Sequence, residues 1–138
     1  MTNTSEQLQP VSKSVTGLRS FKDIVSDLSK PVAARHLKQR QQGGRTLDYL
    51  PWYSAVRYLD LYAPGWRYEI RSVNQVGENL VMTVRISVPC LEGEVYREAS
   101  ALEPIKGNGF GNCAVNCESA ALGRGASKFG LCLYLYDK

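Results

Sequence analysis

The sequence predicts an α+β domain in which an antiparallel meander of three to four β-strands packs against helices. Three observations carry this. Apolar and polar residues alternate in successive runs from Trp66 to Ala101, the mark of half-buried strands. The connections between those runs are short and contain glycine, so neighbouring strands must be antiparallel. On both sides of the meander, apolar residues instead recur at helical spacing. The 138 residues suit one domain with one core, and 43% hydrophobic with 22% charged residues is an ordinary globular composition.

In chain order, residues 1–16 are rich in Ser, Thr, Gln and Asn and predict a disordered tail, which leaves 17–138 as the folded domain. Leu18, Phe21, Val25 and Leu28 mark a first amphipathic helix, stopped by Pro31. The segment VAARHLKQRQQ has few apolar anchors and reads as helix or loop, ended by Gly43-Gly44. A short extended piece at 47–50 leads to Pro51, suited to the first turn of a second helix with Trp52, Ala55, Val56, Leu59 and Ala63 as its buried stripe. Pro64-Gly65 ends it.

In the first strand of the meander Trp66, Tyr68 and Ile70 alternate with Arg67, Glu69 and Arg71, but Val73 falls on the polar side. In the second, Leu80, Met82, Val84, Ile86 and Val88 alternate with Val81, Thr83, Arg85 and Ser87, before a turn from Pro89 through Glu92-Gly93. The third runs from about Val95 to Ala101. Arg67, Arg71 and Arg85 share the polar face. The glycine loop GNGFG at 107–111 then enters a closing helix. On that helix Val115, Leu122, Ala126, Phe129 and Leu133 form one side, and Arg124 and Lys128 project from the other. Gly123 and Gly125 each cost helix stability, about 1 kcal/mol relative to alanine, which suggests close approach to the backbone there. A basic ridge that permits close approach suits phosphate.

The formal net charge is only +4, so placement matters more than total. Between residues 28 and 47 there is no acid, yet Lys30, Arg35, Lys38, Arg40 and Arg45 lie there, while Glu92, Glu94, Glu98 and Glu103 cluster later. Such segregation can form a positive groove on a nearly neutral protein. The cysteines at 90, 113, 117 and 132 lack CxxC spacing and His36 is the one histidine, which argues against zinc. They read as buried apolar groups in a reducing cytoplasm. No apolar run suits a membrane span. GNGFG lacks the Gly-Lys-Ser/Thr of a P-loop and follows a meander, so an ATP or dinucleotide site is not expected. No catalytic constellation is visible, and the reading is of a non-enzyme without cofactor or metal.

The segment KQRQQGGRTLDYLPWYSAVRYLDLYAPGWRYEI, the meander with GNGFG, and SAALGRGASKFGLCLYLYDK together resemble the DNA-annealing domain of the Rad fifty-two superfamily. The likeness spans roughly residues 35–138. It implies side-by-side association into a ring or open helical oligomer, with single-stranded DNA in a basic groove and its bases turned outward. It implies ATP-independent annealing of complementary strands in recombination and repair; coating of single-stranded DNA or RNA without annealing is the alternative. By resemblance Arg40 and Arg124 match DNA-binding arginines. The family often has a lysine before the second, where this chain has Gly123, and Lys128 is the candidate replacement. Lys38 and Arg45 follow as candidates, then Arg67, Arg71 and Arg85. The implied partners are single-stranded DNA and further copies of the chain, with a single-strand binding protein or a recombinase beside them. The implied location is cytoplasmic, at the nucleoid. No recombinase-recruiting tail is expected after Lys138.

Overall fold

The computed structural model describes residues 17–105 and 109–136, so the predicted tail at 1–16 lies outside the described residues. Helix α1 (Phe21–Leu28) starts later than Leu18 because Ser20 caps it, its hydroxyl accepting the Asp23 N–H at 3.1 Å. The Glu92 carboxylate accepts the Phe21 N–H at 2.9 Å and satisfies a second free donor of the first turn. Ile24 and Leu28 face the core.

The second half of the basic segment is a strand, where helix or loop was expected. After a short 3-10 turn (Ala34–His36), KQRQQ is strand β1 (Lys38–Gln42), paired antiparallel with β2 (Arg45–Tyr49). Gly43 and Gly44 connect them with φ of +58° and +75°. Two successive positive φ angles give the tight turn whose twist matches a hairpin, which glycine adopts without strain. The hairpin forms a sheet of its own, so β1 needs no buried stripe.

Helix α2 (Trp52–Tyr62) follows, with Pro51 as N-cap rather than first-turn residue; its carbonyl accepts from Ser54 and Ala55. Ala55, Leu59 and Ala63 are buried as the stripe requires, but Trp52 is half exposed at the helix start. Strands β3 (Arg67–Val76), β4 (Asn79–Cys90) and β5 (Gly93–Pro104) form the expected meander, in the order β3-β4-β5. The misplaced Val73 has a physical cause. The β3–β4 register shifts between Ile70 and Ser72, so Arg71 is an extra, bulged residue. Beyond it Val73 pairs with Met82 and returns to the helix-facing side. Pro89 lies inside β4, not in the turn. It is tolerated because β3 begins opposite Ser87, so past that point β4 is paired on one side only.

Helix α3 (Gly109–Ser127) lies across β4 and β5. It begins earlier and ends sooner than expected. Gly109 and Gly111 belong to its first turn rather than to a loop; positions 107 and 108 of the glycine motif lie outside the described residues. The helix closes in a Schellman turn: Leu131 N–H donates to the Ala126 carbonyl, Gly130 N–H to Ser127, and Gly130 has φ +111°. The chain then reverses through Cys132, at φ +57°, into a 3-10 turn (Leu133–Leu135). Leu133 is thus not on the helix and is exposed, and Val115, on a side of α3 that the monomer leaves uncovered, is 63% exposed. Leu122, Ala126 and Phe129 are buried as expected.

The core joins α1, α2, the inner face of β4 and β5, and α3. Gly125 is where α3 meets the sheet: a Cβ there would stand 2.9 Å from Ile86 Cδ1. The close approach read from the glycines is therefore the protein's own sheet at Gly125. Nothing lies within 4 Å of a Cβ built on Gly123.

Candidate nucleic-acid interface

The β1–β2 register decides which hairpin side chains share a face. Lys38 opposes Tyr49, Arg40 opposes Leu47 and Gln42 opposes Arg45. Directly opposed residues point to the same side, and side chains alternate along each strand. Lys38, Arg40 and Arg45 therefore occupy one face, together with Leu47 and Tyr49. The other face is held by side-chain hydrogen bonds, Gln39 to Asp48 at 3.2 Å and Gln41 to Thr46 at 2.8 Å. The one acid of the hairpin thus sits away from the cations. Arg40 rests over the Tyr49 ring, 5.4 Å from its centroid, a cation–π contact that orients the guanidinium without neutralising it. Among the described residues, none of Lys38, Arg40 and Arg45 forms an ion pair.

Arg124 and Lys128 form a second cationic place, at the end of α3 beside the free edge of β5. Both are exposed and line one cleft, and neither is ion-paired among the described residues. The Lys128 ammonium donates to the Glu98 carbonyl at 2.6 Å, and Arg97 donates to the Lys128 carbonyl, which latches this turn to β5. Hairpin and cleft belong to separate elements.

The three sheet arginines are in a different condition. They lie on the outer face of the meander, each beside a carboxylate. Arg67 pairs with Glu94 at 3.1 Å, Arg85 with Glu98 at 2.8 Å, and the bulged Arg71 with Glu69 at 3.3 Å and Glu98 at 3.8 Å. The hydrogen bond to Glu98 raises the Arg85 pKa above its ordinary value, and the guanidinium also stacks on Tyr96 at 3.9 Å. Two members of the acidic cluster seen in the sequence, Glu94 and Glu98, are thus counter-charges of these arginines, with Glu69 as a third. The arginines contribute little net field.

Residues 20–138 match the Rad52/22 family of double-strand break repair proteins. The chain belongs to that family. Two relatives from Arabidopsis thaliana are similar to it. The mitochondrial DNA repair RAD52-like protein 1 is 29% identical over 122 residues, covering 87% of this chain and 69% of the relative. The chloroplastic DNA repair RAD52-like protein 2 is 32% identical over 132 residues, covering 92% and 65%. The chain therefore spans about two thirds of the length of each. Membership of this family of repair proteins agrees with the reading of a non-enzyme.

Two features of this Rad52-family domain were missed in the sequence. The first is Arg19, just before α1, which is 2% exposed. Its guanidinium pairs with Asp27 at 2.6 Å and donates to the Tyr62 carbonyl at 2.8 Å, tying α1 to the end of α2. Burial opposes the charge on Asp27, but hydrogen bonds from Arg19 and Lys30 outweigh it and hold the carboxyl below its ordinary pKa. No spacing signal separates this arginine from a surface one. The second is an open groove between β3 and α3, lined by Trp52, Tyr68, Val115, Glu118 and Leu122. Tyr68 donates to Glu118 at 2.9 Å; that bond and then burial raise the phenol pKa. Alternation marked Tyr68 and Ile70 as inward-facing and the bulge brings Val73 to the same side, yet all three are exposed because α3 stops short of β3. Among the described residues no cluster of His, Cys, Asp or Glu could hold a metal, and no helix is long and apolar enough to cross a membrane.

Proposed function

We propose that this domain binds single-stranded DNA and anneals complementary strands without ATP, in recombination and repair. The observation that carries the reading is the β1–β2 hairpin of a Rad52-family chain, with three cations on one face and its acid on the other. Cations of this kind neutralise phosphates and release counterions without reading sequence. Strands so neutralised repel each other less, and bases left free can pair. Lys38, Arg40 and Arg45 make the first set of backbone contacts, Arg124 and Lys128 the second. Arg67, Arg71 and Arg85 fall out of the site because carboxylates already occupy them.

Assembly is part of the proposal. The uncovered face of β3 with Trp52 and Val115 is an apolar strip of the kind that subunits bury. Side-by-side copies would set many hairpins along one strand, so weak contacts multiply. The four cysteines, all free and buried, fit a reducing compartment that contains DNA. The two plant relatives' organelles belong to those proteins.

The test mixes dye-labelled complementary oligonucleotides without nucleotide or metal and follows energy transfer. The protein should raise the pairing rate well above the spontaneous one, with larger assemblies on single strands in electron micrographs. Binding without acceleration would leave a coating module and defeat annealing; no binding would defeat both.

A further inference from the structure

We infer that Tyr136 is a base-stacking platform, and that the cleft at the end of α3 takes one whole nucleotide rather than a phosphate alone. The inference rests on the reading of the domain as a single-strand binder and assigns a residue that this reading does not use.

The Schellman turn at Gly130 and the left-handed Cys132 fold the chain back along α3. This brings Leu133 and Tyr136 to the cleft that holds Arg124, Ser127 and Lys128, floored by the β5 edge at Ala99 and Ser100. No acid lines it. The returning segment is anchored through Tyr134, whose hydroxyl accepts the Val32 N–H at 3.1 Å. Tyr136, two residues on, is left 64% exposed, with no side-chain hydrogen bond or ring contact among the described residues. An anchored segment thus presents a free aromatic ring next to two cations.

Each part of a nucleotide has a counterpart there. Arg124 and Lys128 suit the phosphate, and the Ser127 hydroxyl already donates to the Gly123 carbonyl, so it does not compete with them for it. Tyr136 with the Leu133 side chain offers a flat apolar surface to a base. Stacking uses the face of the base and leaves its hydrogen-bonding edge open. That is the condition annealing requires: a strand held in place whose bases can still pair. The hairpin differs, since its cationic face offers no free aromatic ring: its Tyr49 lies under Arg40. The hairpin is indifferent to bases; the cleft depends on them.

The experiment compares a normal single-stranded oligonucleotide with an abasic deoxyribose-phosphate strand of the same length. Both are titrated with wild type, Tyr136→Leu and Tyr136→Phe, after melting curves confirm equal folding. Tyr136→Leu should bind the normal strand about tenfold more weakly. It should bind the abasic strand like wild type and keep the wild-type salt slope, and Tyr136→Phe should match wild type throughout. Equal wild-type and Tyr136→Leu affinity for the normal strand overturns the platform, as does equal weakening on both strands. Wild type that binds neither strand overturns the single-strand reading itself, a different result from either.

Discussion

Replacing the three hairpin cations together, Lys38→Ala, Arg40→Ala and Arg45→Ala, separates free charge from paired charge. All three point from one exposed face of a sheet that lies outside the core, so their loss removes no buried contact. Each lost phosphate contact on single-stranded DNA flattens the plot of log affinity against log salt by roughly 0.7. Three contacts make about 2 units, or about a 20-fold smaller loss of affinity between 50 and 200 mM salt than wild type suffers. The matched control removes Arg67 and Arg71, which are already paired with Glu94, Glu69 and Glu98. That variant should keep the wild-type slope, because it removes charge that makes no phosphate contact. Fluorescence anisotropy of a labelled oligonucleotide across a salt series measures both. A hairpin variant with the wild-type slope, or a sheet variant that loses as much, would refute the division between the two groups.

Four further outcomes follow from the packing and the titrating groups. Gly123→Ala should stabilise by about 0.5–1 kcal/mol, because alanine favours helix and its methyl meets open space, whereas Gly125→Ala should destabilise by pressing on buried Ile86, with recovery when Ile86→Val is added; urea denaturation compares them. Gly130→Ala should be the most damaging of the glycine changes, by about 2 kcal/mol or more, since its φ is +111° and its Cβ would stand 2.3 Å from Ser29 Oγ. Asp27 has its folded pKa below the unfolded value, so its contribution is present above about pH 4 and fades as pH falls through the folded value; Asp27→Asn should remove that part of the acid dependence in melts from pH 6 to 2. Burial also lifts the Cys132 thiol to about 11, so at pH 8 this cysteine should resist a thiol reagent until urea unfolds the chain.

The meander was legible because β4 alternates over five buried residues, Leu80 to Val88, and nothing interrupts it. The stripe of α2 was legible at Ala55, Leu59 and Ala63 for the same reason. The hairpin was not. A strand exposed on both faces has no periodic signal, and its one local sign was the glycine pair, read as a stop rather than a turn. The break at Val73 was visible, but a bulge shows itself only once partner residues are known. Closing-helix length was overestimated because Leu133 happens to continue the helical spacing past Gly130, where a positive φ turns the chain away. For the site, sequence could place the cations but not their counter-charges. Which arginines were free depended on cross-strand neighbours such as Arg85 and Glu98, thirteen residues apart.

The bare inner side of β3 has a consequence for how the protein behaves in a cell. Ile70, Val73 and Val115 face water in a lone chain, so the fold gains whatever a neighbour shields. Where a second copy does so, durability rises with copy number, and scarce chains are the first to be lost to proteases. A protein of that kind would respond to its own abundance: dilute chains would be short-lived, and the hairpins would appear in long arrays only when enough copies meet.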